Sequence, residues 1–327
     1  MSQLNNYDLI IVGGGPTGLV CGIEAKKRDL SYLIIEKGKL VNSIYNFPSN
    51  MTFFSTSKNL EVGHIPFVSH NEKPTRFEAL EYYRRLSSNF ELNINYDERV
   101  EDIIKINKTF KVETLKANYT ATNVIVATGF YDNYRPLNIP GENLTKVKHY
   151  YDDPHPYVDR QVLVVGARNS ACDVALETWR HGAEVTMAIR SDSIHERVKY
   201  WIRPNIINRI REGSIKAYFK TCLIEIKPHS VVLATREGNK EIPNDYVLAM
   251  TGYKPDYPLL QKFGISIDHE SLEKKPICHP ETLESTIEGL YLAGVIITGL
   301  HTSGLFIENT RHHGQMILDD IVKKQDL

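Results

Sequence analysis

One pattern constrains this 327-residue chain more than any other, because it occurs twice: an apolar run, a turn of small residues and a helical stretch, opening near residue 8 and again near residue 161. A short, fully apolar run that feeds a glycine turn and then a helix is the start of a parallel strand-helix-strand unit. The first copy predicts a strand over Tyr7 to Val12, the turn Gly13-Gly14-Gly15-Pro16-Thr17-Gly18, a helix through Leu19 to about Lys27, and a second strand from Tyr32 to Ile35 ending in Glu36. The second predicts a strand over Gln161 to Val165, the turn Gly166-Ala167-Arg168-Asn169-Ser170-Ala171, a helix through about His181, and a strand from Glu184 to Ile189 ending in Arg190. Each copy is followed by a further strand that closes on a small-residue turn, Asn123 to Ala127 into Thr128-Gly129 and Asp245 to Met250 into Thr251-Gly252. Leu290 to Gly294 reads as one more buried strand, and Phe306 to about Lys323 as a last helix.

The first turn satisfies GxGxxG in the required setting, after a buried strand and before a helix. Gly13 permits the tight turn, Gly15 lets the backbone approach a pyrophosphate, and Gly18 allows the helix to pack closely on its strand. Free N-H groups at the start of the helix, which begins around Pro16 and Thr17, face such an anion, and the helix dipole favours it. Glu36, followed by Lys37, stands at the spacing at which a carboxylate accepts from both ribose hydroxyls. In the second turn Arg168 replaces the middle glycine and Ala171 the last, with Asn169 and Ser170 between them. An arginine there crowds the backbone path and can pair with a phosphate. Arg190 is the informative residue, since a carboxylate at this strand end repels a 2'-phosphate whereas a guanidinium binds it in a forked geometry. NADPH is therefore expected over NADH, with Arg197 as a second contact.

Composition excludes several other classes. A net charge of -1 and a pI near 6.9 leave no summed basic field for nucleic acid or an anionic membrane. No apolar run approaches the roughly 18 residues that cross a bilayer, and no signal-peptide pattern precedes Gly13, so a cytoplasmic protein is expected. Cys21, Cys172, Cys222 and Cys278 are too far apart for a disulfide framework, a zinc knuckle or a CxxC motif. No metal site is expected.

With both turns, the strand Val124 to Gly129 and the strand Tyr291 to Gly294 in view, the chain resembles flavoproteins with two dinucleotide-binding domains, the group of the low-molecular-weight thioredoxin reductases. It resembles one branch more closely, the YpdA-type bacillithiol disulfide reductases. Tyr45-Asn46-Phe47-Pro48, Phe53 to Ser57, Gly63 to Phe67, Trp201 to Asn205, Asn244 to Val247, Ala293 to Ile296 and Phe306 to Asn309 carry that resemblance, which runs nearly end to end. It implies an α/β fold of two Rossmann-like three-layer domains. Residues 1–130 and 253–327 form the FAD-binding domain, and residues 131–252 form the inserted NADPH-binding domain. It implies a homodimer, and a reaction in which NADPH reduces the flavin and the flavin reduces a small-molecule disulfide.

Related flavoproteins usually carry an aspartate after the late glycine, where this chain has Val295. FAD is then expected to be held by the backbone from Gly294 to Ile296 and by the start of the last helix at Ile307. Tyr45 and Phe53-Phe54 are expected to wall the isoalloxazine, and Thr128, Gly129 and Gly252 to line the cofactor paths. Members of the branch commonly have a cysteine where this chain has Thr17, and a threonine forms no mixed disulfide. Direct transfer from flavin to disulfide, a different substrate, or Cys21 one helical turn on would have to make up for it. His301, His313 and Glu308 are the candidate catalytic groups, the histidines as proton donors to a leaving thiolate and Glu308 at a helix start that can stabilise charge on reduced flavin. A ferredoxin or flavodoxin acceptor, a flavin monooxygenase and a non-enzymatic redox sensor remain as alternatives. The monooxygenase reading is weakened because Thr145 occupies the glycine position of an FxGxxxH-type signature near His149.

Overall fold

The structure, a computed structural model, describes residues 5–325. The expected FAD domain begins four residues earlier and ends two residues later, and those residues lie outside the described ones. The chain forms two compact units: one takes the residues up to Asn133 and those from Tyr253 onward, the other is Tyr134–Gly252.

The first unit opens with β1 (Asn5–Val12), α1 (Pro16–Lys27) and β2 (Tyr32–Ile35). Then come α2 (Asn42–Tyr45), α3 (Arg76–Asn89), β3 (Ile94–Asn95), β4 (Val100–Ile106), β5 (Thr109–Thr114) and β6 (Asn118–Val126). Its sheet runs β3-β2-β1-β6, all parallel. The nine-residue β6 has two partners along its far edge: β5 lies antiparallel to its first half, and a late strand lies parallel to its second half. Leu9 and Ile11 face one apolar cluster and Ile10 and Val12 another, all at most 5% exposed. Burial on both faces explains why β1 reads as a continuous apolar run with no alternation.

The second unit contains β7 (Val147–Lys148), β8 (Gln161–Val165), α4 (Asn169–Arg180), β9 (Glu184–Ile189), α5 (Arg203–Arg211) and β10 (Lys216–Phe219). An antiparallel meander follows, β11 (Cys222–Ile226), β12 (Ser230–Thr235) and β13 (Gly238–Pro243), before β14 (Tyr246–Ala249). The parallel sheet has the order β10-β9-β8-β14-β7. Both units thus place their glycine turn at the C-terminal end of a central parallel strand, where α/β sheets bind ligands.

The chain then re-enters the first unit with α6 (Tyr257–Lys262), β15 (Leu290–Leu292, the late partner of β6), α7 (Ile307–Thr310) and α8 (His313–Gln325). The single last helix expected from the sequence is therefore two. Thr310 turns its hydroxyl back to the Phe306 carbonyl at 3.1 Å, and Gly314 brings α8 so close to α1 that a Cβ there would lie 2.8 Å from Val20. Contacts with α1 set the break, so the periodicity of the segment alone could not show it.

Candidate functional site

In the first unit, α1 starts at Pro16, inside the glycine motif, because proline's fixed φ suits the first helical position. Gly13 has φ +112°, and a Cβ on it would come within 2.6 Å of the Ala127 carbonyl oxygen. A Cβ on Gly18 would lie 1.9 Å from the Gly13 oxygen. Both glycines are therefore required for β1, β6 and α1 to pack. Gly15 differs: its backbone is extended, with φ -75°, and a Cβ there would meet nothing within 4 Å. The space above Gly15 is open, as approach of a phosphate requires.

Side chains cap α3 and α6, where Thr75 and Glu78 form a capping box and Asp256 accepts from Leu259 N, whereas α2 and α5 have no side-chain cap. At the two glycine turns the N-cap residues are Gly15 and Arg168, neither supplies a side-chain acceptor, and neither first turn carries an acid. A helix start left without a cap leaves N-H groups and the positive end of the dipole for an outside anion. Glu36 is 5% exposed, and its oxygens accept from Gly14 N at 2.6 Å and Gly38 N at 2.8 Å. Burial raises its pKa against the lowering effect of those bonds. Each carboxylate oxygen keeps a second lone pair, which suits the two hydroxyls of a ribose.

The turn of the second unit repeats this geometry with one change. Gly166 has φ +132°, and a Cβ on it would lie 2.8 Å from the Met250 oxygen. Ala171 stands where the first unit has Gly18, and its own Cβ would lie 3.1 Å from a Cβ added to Gly166. Arg168, Ser170, Arg190 and Arg197 are exposed. Asn169 does not cap α4; its Oδ1 accepts from Lys199 N at 2.9 Å, and Ala167 O accepts from His195 N at 3.2 Å. Those two bonds fasten the segment carrying Arg190 and Arg197 to the glycine turn. Nothing in the local sequence signals the role of Lys199 or His195.

The late segment meets α1 at Thr17. A Cβ on Gly294 (φ +82°) would touch Thr17 Oγ1 at 3.2 Å, and Thr17 Oγ1 lies 3.0 Å from Thr310 Oγ1. Either hydroxyl can donate in that pair, and Thr310 Oγ1 also lies 3.1 Å from the Phe306 carbonyl. Thr17→Val should cost about 1 kcal/mol and lower the unfolding midpoint by about 2–4 °C, with FAD retained; calorimetry and the flavin spectrum measure both. Thr310 was not foreseen, because its partner is 293 residues away.

His313 is 6% exposed, and its Nδ1 accepts from Gly294 N at 3.1 Å. Burial, and then the neighbouring His312, push its pKa down to about 4. The unfolded chain therefore takes up this proton first as pH falls. Its contribution to stability is complete above about 6.5 and is lost toward 4. His313→Gln keeps an acceptor without titrating, so the wild type should lose more of its unfolding midpoint than this variant between pH of about 7 and about 4.5.

His301 lies in the turn before α7, half-exposed, with Nδ1 3.4 Å from Glu273 Oε1. Glu308 is partly buried in the first turn of α7, which begins at Ile307, and Val295 lies in the short 3-10 helix Gly294–Thr298. Lys37 pairs with Asp132 at 2.9 Å. Tyr45 and Phe54 are 49% and 54% exposed, with the Arg76 guanidinium over the Tyr45 ring and the Lys73 ammonium over the Phe54 ring. Arg76 also donates to the carbonyls of Ile44 and Tyr45 and so fixes the loop. Thr128 and Gly129 (φ +66°) follow β6 beside Gly13, and Gly252 (φ +87°) holds the equivalent turn after β14. Among the described residues no cluster of His, Cys, Asp and Glu could hold a metal ion, and no helix is long and apolar enough to cross a membrane.

Comparison with known proteins agrees with this geometry. The family described as pyridine nucleotide-disulphide oxidoreductase matches residues 10–294. The bacilliredoxin reductase Bdr of Bacillus subtilis is 43% identical over 97% of this chain and 98% of its own. The structure of the bacillithiol disulfide reductase Bdr (YpdA) from Staphylococcus aureus superposes with a TM-score of 0.96 at 39% identity, covering 98% of this chain and all of that one. The bacillithiol disulfide reductase Bdr (YpdA) from Bacillus cereus gives 0.95 at 41%, with the same coverage. The thioredoxin reductase of T. acidophilum, at 18% identity and a TM-score of 0.77, shares the fold. With two uncapped glycine turns on two parallel sheets and a family match spanning both, the chain belongs to the pyridine nucleotide-disulphide oxidoreductase family.

Proposed function

We propose that this chain is an FAD-containing reductase that takes electrons from NADPH and passes them to a low-molecular-weight disulfide of the bacillithiol disulfide class. Its similarity over almost its whole length to the Staphylococcus aureus and Bacillus cereus bacillithiol disulfide reductases carries this reading. The residues present fit both cofactors. FAD belongs to the first unit, with its pyrophosphate over Gly15 and the start of α1, its ribose on Glu36, and its far end along Gly294, Val295 and Ile307. NADPH belongs to the second unit, with its pyrophosphate at Gly166 to Ser170 and its 2'-phosphate on Arg190 and Arg197. Bound FAD supplies the two-electron step that links a hydride donor to a disulfide.

The chain's own residues set the conditions for that step. The N-H groups at the starts of α1 and α4 hold phosphate, and Glu36 fixes the ribose. Thr17, hydrogen-bonded to Thr310, closes α1 against α7. His313 stays neutral at physiological pH and serves as a fixed acceptor for Gly294 N, which leaves proton delivery to His301, with Glu308 at the start of α7. Homodimerisation and residence in the cytoplasm belong to the same reading, and light scattering of the purified protein measures the first.

Anaerobic stopped-flow tests the function: the yellow protein is reduced with NADPH, then mixed with bacillithiol disulfide while flavin absorbance is followed. Fast reduction and fast reoxidation are expected. Reduction without disulfide-dependent reoxidation would exclude this substrate and favour a ferredoxin or flavodoxin acceptor.

A further inference from the structure

We infer that this chain reduces its disulfide substrate without forming a covalent bond to any of its own cysteines, the electron pair passing to the substrate's S-S bond directly. The inference rests on the reading proposed above and deepens it.

A thiol relay needs a thiolate that the substrate can reach, and usually a second thiol to release it. The four cysteines are all free, so no resident disulfide is present to be cycled. Cys21, one turn beyond Thr17 on α1, is 0% exposed within the apolar cluster that joins α1, β2 and α8, and burial pushes its thiol up to about 12. Cys172 on α4 is likewise 0% exposed and pushed up to about 12 by burial, with Asp173 adding to the shift. Cys278 packs against apolar residues of both clusters of the first unit, and burial raises it as well. Cys222 is exposed and begins β11 of the antiparallel meander, where Thr221 N donates to the Ile189 carbonyl at 3.0 Å, so it stands at the end of β9 in the unit assigned to NADPH and not in the unit assigned to FAD. Where α1, α7 and the Gly294 segment meet, the side chains in contact are the hydroxyls of Thr17 and Thr310.

The balance then closes on substrate alone. One NADPH and one proton react with one disulfide to give NADP+ and two thiols. The hydride supplies two electrons and one proton's worth of hydrogen, the S-S bond breaks as it accepts the pair, and the second proton comes from solvent by way of His301. Such a reductase keeps turning over where peroxide has oxidised the low-pKa thiols of other enzymes.

The test uses the FAD-loaded enzyme. NADPH oxidation driven by bacillithiol disulfide is measured before and after iodoacetamide treatment and in Cys222→Ser and Cys278→Ser. Mass spectrometry of the enzyme, acid-quenched during turnover, searches all four cysteines for a substrate adduct. The expected result is kcat/KM within about twofold of untreated wild type in each case, with no adduct. A loss of more than about tenfold with flavin reduction by NADPH intact, or an adduct on any cysteine, overturns the inference while leaving the disulfide reductase reading in place. Rapid flavin reduction with no disulfide-dependent turnover in the untreated wild type overturns that reading, and the inference with it. Because alkylation and adduct trapping need no substitution of the buried Cys21 and Cys172, the outcome does not depend on variants that fail to fold.

Discussion

Gly15→Ala should leave the apoprotein as stable as wild type and remove most of its FAD. The backbone of Gly15 is one that any residue adopts, and an added methyl meets no protein atom within 4 Å, so folding bears no cost. The methyl instead enters the space above the start of α1 through which a pyrophosphate approaches its N-H groups. A lost charge-assisted contact is worth about 1.5–3 kcal/mol, or about 10- to 150-fold in FAD affinity. Gly18→Ala provides the contrast. Its Cβ would lie 1.9 Å from the Gly13 oxygen, a backbone atom that cannot swing away, so α1 must shift. That strain should cost about 1–3 kcal/mol of stability whether or not FAD is present. Calorimetry of the apoproteins and flavin titration separate the two variants. A Gly15→Ala protein that retains FAD at wild-type affinity would place the pyrophosphate elsewhere.

Arg190→Ala should lower kcat/KM for NADPH by about 10- to 150-fold, the equivalent of one charge-assisted phosphate contact, and change kcat/KM for NADH by less than about twofold. Arg190 is exposed at the end of β9 and forms part of no apolar core, so the loss would be one of recognition, with the fold intact. Arg197→Ala should act in the same direction with a smaller effect. Asn169→Ala should resemble both, although it removes no charge, because its Oδ1 holds the backbone of Lys199 and with it the segment bearing both arginines. Equal losses with NADPH and NADH in Arg190→Ala would assign this residue to the pyrophosphate instead.

The sequence by itself determined the parts of this protein whose reasons are local. A buried parallel strand must be apolar throughout, and a turn that brings a helix back against it must lack side chains at set positions. These two requirements made β1, β2, β8 and β9 and both glycine turns legible, along with Glu36 and Arg190 at fixed distances beyond them. Even the irregular second turn could be read, because the strands around it kept their pattern.

What only the tertiary structure decided depends on residues far apart in the chain. The motif assigns Gly18 to packing and Gly15 to the approach of a phosphate, but which atoms enforce this, the Gly13 carbonyl oxygen 1.9 Å from a Cβ at Gly18 and nothing within 4 Å of one at Gly15, is set by the fold. Nothing near residue 17 points to Thr310, and nothing near residue 313 shows that His313 is buried on the N-H of Gly294 and so carries no charge at neutral pH. The break between α7 and α8 has the same origin. Periodicity records which face of a segment is apolar, whereas the groups that meet that face are supplied by other segments once the chain has folded.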